Sequence, residues 1–430
     1  MSDLLVVQEL LDFLGRSPTP FHAVQQATEQ LLKAGYVRLD EKDSWHLAPE
    51  GKYFTTRNDS SLIAFHTGRH NPLETGIRMM GAHTDSPALK VKPSPVTINK
   101  GYLQLAVEVY GGALLNPWFD RDLSLAGRVS YKTDKGLLKS ALVDFRMPIA
   151  IIPSLAIHLD RTQNESKKIN SQTDLPPILA QIANSENFSF ESLLTDQIDD
   201  DTLEEVLDWE LFFYDTQLPA EIGLNKEFIA SARLDNLLSC FVGMKSFIDS
   251  DTSQPALIVF NDHEEVGSAS ASGADGPFLK QVLERWIGDS AEAFVQTISR
   301  SLMISVDNAH GVHPNFASWH EPDHQPILNN GPVIKINANQ RYASNSTSQA
   351  LFRHICQQAD VPVQVFVVRS DLGCGSTIGP ITATNLGINT VDVGVATFAM
   401  HSIRETAGAK DPLLLFKALK HFFNSSSISA

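Results

Sequence analysis

At 430 residues with a hydrophobic fraction of 43%, the chain exceeds the length at which one core usually stops growing, so two domains or one with a large insertion is expected. Its 50 Asp and Glu against 34 Lys and Arg leave a net charge of −16, and so acidic a surface argues against nucleic acid and anionic membrane as partners. The N-terminus lacks a basic leader, no apolar run approaches the ~18 residues of a membrane span, and Cys240, Cys356 and Cys374 lie far apart without CxxC spacing, which together predict a reduced, cytosolic protein.

Apolar spacing over residues 3–14 predicts a helix, and Thr19-Pro20 places a cap and a first-turn proline before a second one, FHAVQQATEQLLKAG, ending at Gly35. SLIAFHTG and GIRMMGAHTD are short apolar runs bounded by turn residues, as sheet strands are. From about Val96 strand signals crowd together: VTIN, YLQLAVEVYGG, LAGRVSYKTDKGLLKSALVDF with a hairpin turn at Thr133-Asp134-Lys135-Gly136, and IAIIPSLAIHL. The acidic run from Asp196 to Glu210 reads as a solvated loop or helix face, since it lacks the spacing and central glycine of a calcium loop. LFFYDTQ then leads back toward ASARLDN, so residues 96–228 read as a β-rich insertion between 1–95 and 229–430.

Beyond Asp235 the pattern alternates: a helix LDNLLSCFVGMKSFI, a strand ALIVF, a helix PFLKQVLERWI, a strand SLMISV, a helix STSQALFRHICQQA, and strands VQVFVV and TVDVGV. That is the pattern of the α/β class, a central mixed sheet flanked by helices. KDPLLLFKALKHFF closes the fold, and NSSSISA reads as a frayed tail.

Five segments end a strand-like run with a residue type that binds metal: GAHTDSP, ARLDN, NDHEEVG, SVDNAHG and FAMHSIRE. They offer His83, Asp235, Glu265, Asp307 and His401. In open α/β sheets ligands gather at the carboxyl ends of strands, where loops converge on one crevice. Zinc accepts imidazole nitrogen and carboxylate oxygen, and one His and one acid for each of two ions, plus a bridging carboxylate, requires the composition these segments supply. Glu264, adjacent to a ligand but not one itself, suits a general base. Asp85, just after His83, can take the other imidazole N–H and fix the tautomer. Singly, each motif is an ordinary strand end or solvated turn, and their conjunction is what points to a two-zinc hydrolase. The loop Gly373–Gly379 lacks the spacing of a dinucleotide motif and a Walker lysine. It reads as a border of the catalytic crevice, with Asp371 facing substrate, while His263, His310, His313 and His320 read as pocket residues.

These segments, in this order and together with VEVYGGALL, WFDRDLSLAGRV, AIHLDR, IKINANQRYASN and CGSTIGP, resemble the aspartyl aminopeptidase family of two-zinc metallopeptidases over essentially the whole chain. The resemblance implies a zinc-peptidase fold interrupted by a dimerisation domain. It implies two zinc ions per subunit, bridged by Asp235, one completed by His83 and Asp307 and the other by Glu265 and His401, with Glu264 as general base and Asp85 orienting His83. Manganese or cobalt would also suit so carboxylate-rich a site.

Lys335, by pattern alone a solvated residue of the alternating run VIKIN, resembles the lysine that meets the acidic side chain of an N-terminal Asp or Glu. His158 in AIHLDR resembles a histidine that reaches the active site of a neighbouring subunit, in a family that builds tetrahedral dodecamers from dimers. The implied substrate is a peptide with an acidic N-terminal residue. After Asp307 the chain reads NAHG where animal members are expected to have MAHA, which bears on the pocket near His310 and His313. The alternatives are a broader two-metal aminopeptidase, a carboxypeptidase, a deacylase, or an inactive assembly or cargo-binding shell.

Overall fold

The computed structural model describes residues 3–182, 188–288 and 290–427. The mixed α/β chain divides into two compact units, one of Met1–Asp85, Pro219–Met400 and Glu405–Ala430, the other of Ser86–Leu218 and His401–Arg404.

The first unit is built on a nine-stranded mixed sheet. Its strands run in the order Val37–Arg38, Lys52–Arg57, Ser61–His66, Ala256–Asn261, Arg78–His83, Leu302–Val306, Asn389–Gly394, Val333–Ile336 and Gln364–Val367. From Ala256–Asn261 to Asn389–Gly394 neighbouring strands are parallel, and helices cover both faces. Met80, Ile258 and Ile304 pack with Leu10, Phe241 and Leu419 from the helices Asp3–Gly15, Leu234–Ile248 and Asp411–Asn424. Met79, Val259 and Met303 point the other way, onto Phe278 and Val282 of the helix Phe278–Ile287. Burial on both faces is why these strands are continuous apolar runs with abrupt polar ends. A second, five-stranded sheet in this unit runs Ala220–Ile222, Phe228–Ser231, Glu405–Gly408, Ala396–Phe398 and Ala309–His310.

The other unit is a six-stranded antiparallel sheet in the order Leu138–Asp144, Leu123–Thr133, Leu203–Asp215, Ala88–Asn99, Tyr102–Tyr110 and Ile178–Gln181. It begins at Ser86 rather than near Val96. The reason is that Ala88–Asn99 is one strand, paired with Tyr102–Tyr110 on both sides of a register shift between Val91 and Val96. Pro93 and Pro95 fall in that gap, and proline, lacking an N–H for the ladder, splits the apparent pattern. The unit closes at Leu218, because Phe228–Ser231 pairs with Glu405–Gly408 in the first unit.

Three expectations are corrected. Much of the acidic run is neither loop nor helix: Leu203–Asp215 is a strand along Leu123–Thr133, with register shifts near Glu205 and Asp208 that scramble its alternation. IAIIPSLAIHL supplies only isolated bridges at Ala150 and Ile151, and His158 lies in a turn. The start of the tail is anchored, since Arg78, itself fully buried, donates to the carbonyls of Ser425 and Ser426. Its last residues, 428–430, lie outside the described residues. Among the described residues no helix is long and apolar enough to cross a membrane.

Candidate metal centre

Three adjacent parallel strands deliver side chains to one end of the main sheet. Arg78–His83 ends on His83, Ala256–Asn261 leads to Glu264 and Glu265, and Leu302–Val306 leads to Asp307. Asp235 enters at the start of the segment Leu234–Ile248, behind Arg233 in the left-handed conformation (φ 60°, ψ 27°). His83, Asp235 and Glu265 offer ligand atoms that all lie within 4.8 Å of one another, the one such group found among the described residues.

His83 Nε2 is 3.4 Å from Asp235 Oδ1 and 3.5 Å from Asp307 Oδ1. Its Nδ1 is 3.0 Å from the Asp85 carbonyl oxygen, which can only accept, so Nδ1 carries a hydrogen and Nε2 is the nitrogen turned to the two carboxylates. The Asp85 carboxylate accepts the backbone N–H of Glu264 through Oδ1 and of Glu265 through Oδ2, each at 3.1 Å. Behind the site, Asn236 Nδ2 donates to the Val306 carbonyl at 2.8 Å and the Cys240 thiol to the His83 carbonyl at 3.0 Å. Gly394 admits the chain carrying Asp307: a Cβ there would stand 1.8 Å from the Asp307 carbonyl oxygen.

Burial pushes the Glu264 carboxyl up to about 8 against the pull of His83, and Asp307, Asp235 and Asp85 push in the same direction. Glu265 is raised well above the carboxylate range by burial and by Asp235. At His83 burial disfavours the charged form, but hydrogen bonds to Asp235, Asp307 and Asp85 hold its pKa well above the usual value. At Asp307 burial again opposes charge, and the Lys335 ammonium with His83 overcomes it, holding the carboxyl below its ordinary range. More carboxyl groups than the cations His83 and Lys335 can balance share a desolvated pocket, which is why the two glutamates hold their protons so strongly when no further cation is at hand. Imidazole nitrogen with several carboxylate oxygens is a donor set that fits zinc or a similar divalent ion.

Lys335 is not the outward, solvated lysine that its strand pattern alone describes. It is 2% exposed, and its Nζ donates to Asp307 Oδ2 at 2.9 Å and to the Asn308 carbonyl at 3.1 Å. His401 belongs to the segment His401–Arg404 of the inserted unit. Its Nδ1 donates to the Gly112 carbonyl at 3.1 Å, the tautomer seen at His83. His158 is exposed. Asp371 is exposed and paired with Arg369 at 2.9 and 2.6 Å. His310 is exposed and stands edge-on to Phe366, ring centroids 5.5 Å apart. His263 Nδ1 is 2.8 Å from Ser270 Oγ, and His320 Nε2 accepts the His313 backbone N–H at 3.2 Å. The structure thus gathers His83, Asp85, Asp235, Glu264, Glu265, Asp307 and Lys335.

Sequence reasoning passed over Glu405, whose buried Oε2 accepts the Asp235 backbone N–H at 2.8 Å. Its one signal was its place in FAMHSIRE, the string that carries His401.

Imidazole and clustered carboxylates at the carboxyl edge of a parallel sheet define a metal-dependent hydrolase. The family described as aminopeptidase I zinc metalloprotease (M18) matches residues 13–423. A probable M18 family aminopeptidase 2 of Pseudomonas fluorescens (strain SBW25) is 58% identical over 424 residues, 98% of each chain. A solved chain of the Ape4 and Nbr1 complex aligns with a TM-score of 0.95 at 39% identity, covering 98% of this chain and 86% of that one. The S. cerevisiae mApe1 dodecamer aligns with a TM-score of 0.84 at 31% identity, covering 97% and 96%. The chain belongs to the M18 family of zinc aminopeptidases, metallopeptidases that release amino acids from peptide N-termini.

Proposed function

We propose that the chain is a cytosolic two-zinc aminopeptidase that prefers peptides beginning with Asp or Glu. The observation that carries the reading is the position of His83 Nε2 facing both Asp235 Oδ1 and Asp307 Oδ1, with Glu265 in the same compact group. His83 and Asp307 would hold one ion and Glu265 and His401 the other, with Asp235 between them. When bound, such ions lower the pKa of a shared water and polarise the scissile carbonyl. Glu264, beside the proposed ligand Glu265 and uncommitted to metal, takes the water's proton and later returns it to the leaving amine. Asp85 holds His83 in its coordinating tautomer.

Lys335 carries three N–H donors, of which Asp307 and Asn308 engage two, and the third would meet the carboxylate of an acidic N-terminal residue. Asp371 and His310 border the substrate. The mApe1 relative is a dodecamer, and the same assembly is proposed here, with the inserted unit as its dimerisation element and His158 contributed to a neighbouring subunit's site. A broader specificity is the second reading, favoured by the burial of Lys335 and its existing bond to Asp307.

Metal analysis combined with hydrolysis of chromogenic peptides capped by Asp, Lys and Leu tests the reading. Two zinc ions per chain and fastest release of Asp are expected. Equal rates on all three caps would remove the selective role of Lys335, and an active chain without metal would remove the mechanism. Light scattering on the size-exclusion peak reads the assembly, and a stable, fully active monomer would count against the dodecamer.

A further inference from the structure

We infer that Glu405 is a positioning residue that clamps the main chain at Asp235 so that the Asp235 carboxylate is presented to metal; the inference rests on the metal-centre reading above. Asp235 sits where the chain passes from the strand Phe228–Ser231 into a helix, and the passage is irregular. Arg233 is left-handed, while Asp235 (φ −81°, ψ 106°) and Asn236 (φ −124°, ψ 23°) lie outside helical values. The Asp235 N–H therefore precedes the regular helix, where backbone donors lack intrahelical acceptors and need one from elsewhere. Local side chains usually supply it, yet Arg233 makes no side-chain capping bond. The acceptor comes from far along the chain, Glu405 Oε2 at 2.8 Å.

The sheet explains how Glu405 reaches this point. Glu405 opens the strand Glu405–Gly408 and is the register partner of Ser231, the last residue of Phe228–Ser231. The ladder thus sets Glu405 beside the place where the partner strand ends and turns toward Asp235. At 2% exposure its carboxylate has little freedom to leave. On the other side, Asn236 Nδ2 is tied to the carbonyl of Val306, the residue before Asp307. Asp235 is consequently held fore and aft, by Glu405 through its own N–H and by the strand that presents Asp307 through its successor. Zinc–carboxylate bonds of about 2.0–2.2 Å leave little tolerance for a shifted ligand. The short string from His401 to Glu405 therefore carries one proposed ligand and steadies another.

The test compares Glu405→Gln, Glu405→Asp and Glu405→Ala in the full chain. Zinc affinity is measured by chelator competition on the demetallated protein, with the cobalt(II) absorption spectrum and melting temperature alongside. Glutamine keeps the acceptor oxygen at the same reach without the charge, whereas aspartate keeps the charge and is one methylene too short. The expectation is affinity within about threefold of wild type for Glu405→Gln and a loss of about tenfold or more, with an altered cobalt spectrum, for Glu405→Asp and Glu405→Ala. Wild-type affinity in Glu405→Asp overturns the inference, as does equal weakening of the Gln and Asp variants, which would mark a charge effect or general support. If Glu405→Ala does not fold, the Gln and Asp pair decides; failure of both to fold overturns a positioning role. A wild-type chain that binds no zinc overturns the metal-centre reading itself, whereas equal binding by wild type and Glu405→Asp overturns only the role of Glu405.

Discussion

Asp85 and Glu265 are joined by a 3.1 Å hydrogen bond from the Glu265 backbone N–H to Asp85 Oδ2, and the companion oxygen takes the N–H of Glu264 at the same distance. One buried carboxylate thereby sets the register between the His83 strand end and the turn that carries both glutamates, while the Asp85 carbonyl orients His83. Asp85→Asn turns an NH2 toward one of those two N–H groups and breaks half of the clamp. Zinc affinity is expected to fall by about 10- to 100-fold. Chelator competition measures it, and an unchanged affinity would remove the clamp from the account.

Glu264→Gln keeps the shape of the side chain and removes its ability to take a proton. Metal content is expected to stay at the wild-type level while turnover falls by about 10² or more. Metal analysis and kcat on one preparation separate the two effects. A variant that loses zinc would make Glu264 a ligand rather than the base.

Lys335→Met leaves the Asp307 carboxylate buried beside His83 without its ammonium partner. Breaking a buried pair from one side costs about 3–5 kcal/mol, so the zinc-free protein should unfold at lower denaturant than wild type. Added zinc should recover part of that loss, because a cation at Asp307 replaces the missing charge. Denaturant titrations with and without zinc check this, and an equal loss in both states would show that the ammonium and the metal do not share Asp307.

His66 is fully buried and stacks on Phe247 with ring centroids 4.9 Å apart. Burial lowers its pKa from 6.5 to about 4. The unfolded chain therefore takes up a proton at His66 before the folded chain does. The contribution to stability is complete above pH 6.5 and is lost as the pH falls toward 4. His66→Phe removes the proton site and keeps a ring against Phe247. It is expected to reduce the acid-side loss between those pH values by up to about 3 kcal/mol. Melting curves across that range for both proteins read the difference, and parallel profiles would exclude His66 from the acid response.

Some of this architecture is legible in the chain itself, and the reason is burial. Arg78–His83, Ala256–Asn261 and Leu302–Val306 are covered on both faces, so each reads as an unbroken apolar run whose polar end stands out. The helices Asp3–Gly15 and Pro20–Lys33 show their apolar period and the proline start. Ala88–Asn99 and Leu203–Asp215 were not legible as whole strands, because prolines and register shifts break the period of two on which a strand reading depends.

Residue type and apolar spacing are local properties, so the chain alone announces acids and imidazoles just past apolar runs, His83 and Asp307 among them. Which atoms meet is a property of the fold. Lys335 turns inward to Asp307, Asp85 clamps the Glu264–Glu265 turn, and Glu405 takes the Asp235 N–H across 170 positions. Each of these is a hydrogen bond between distant segments, whose existence depends on sheet order and strand register and therefore leaves no periodic trace in the chain.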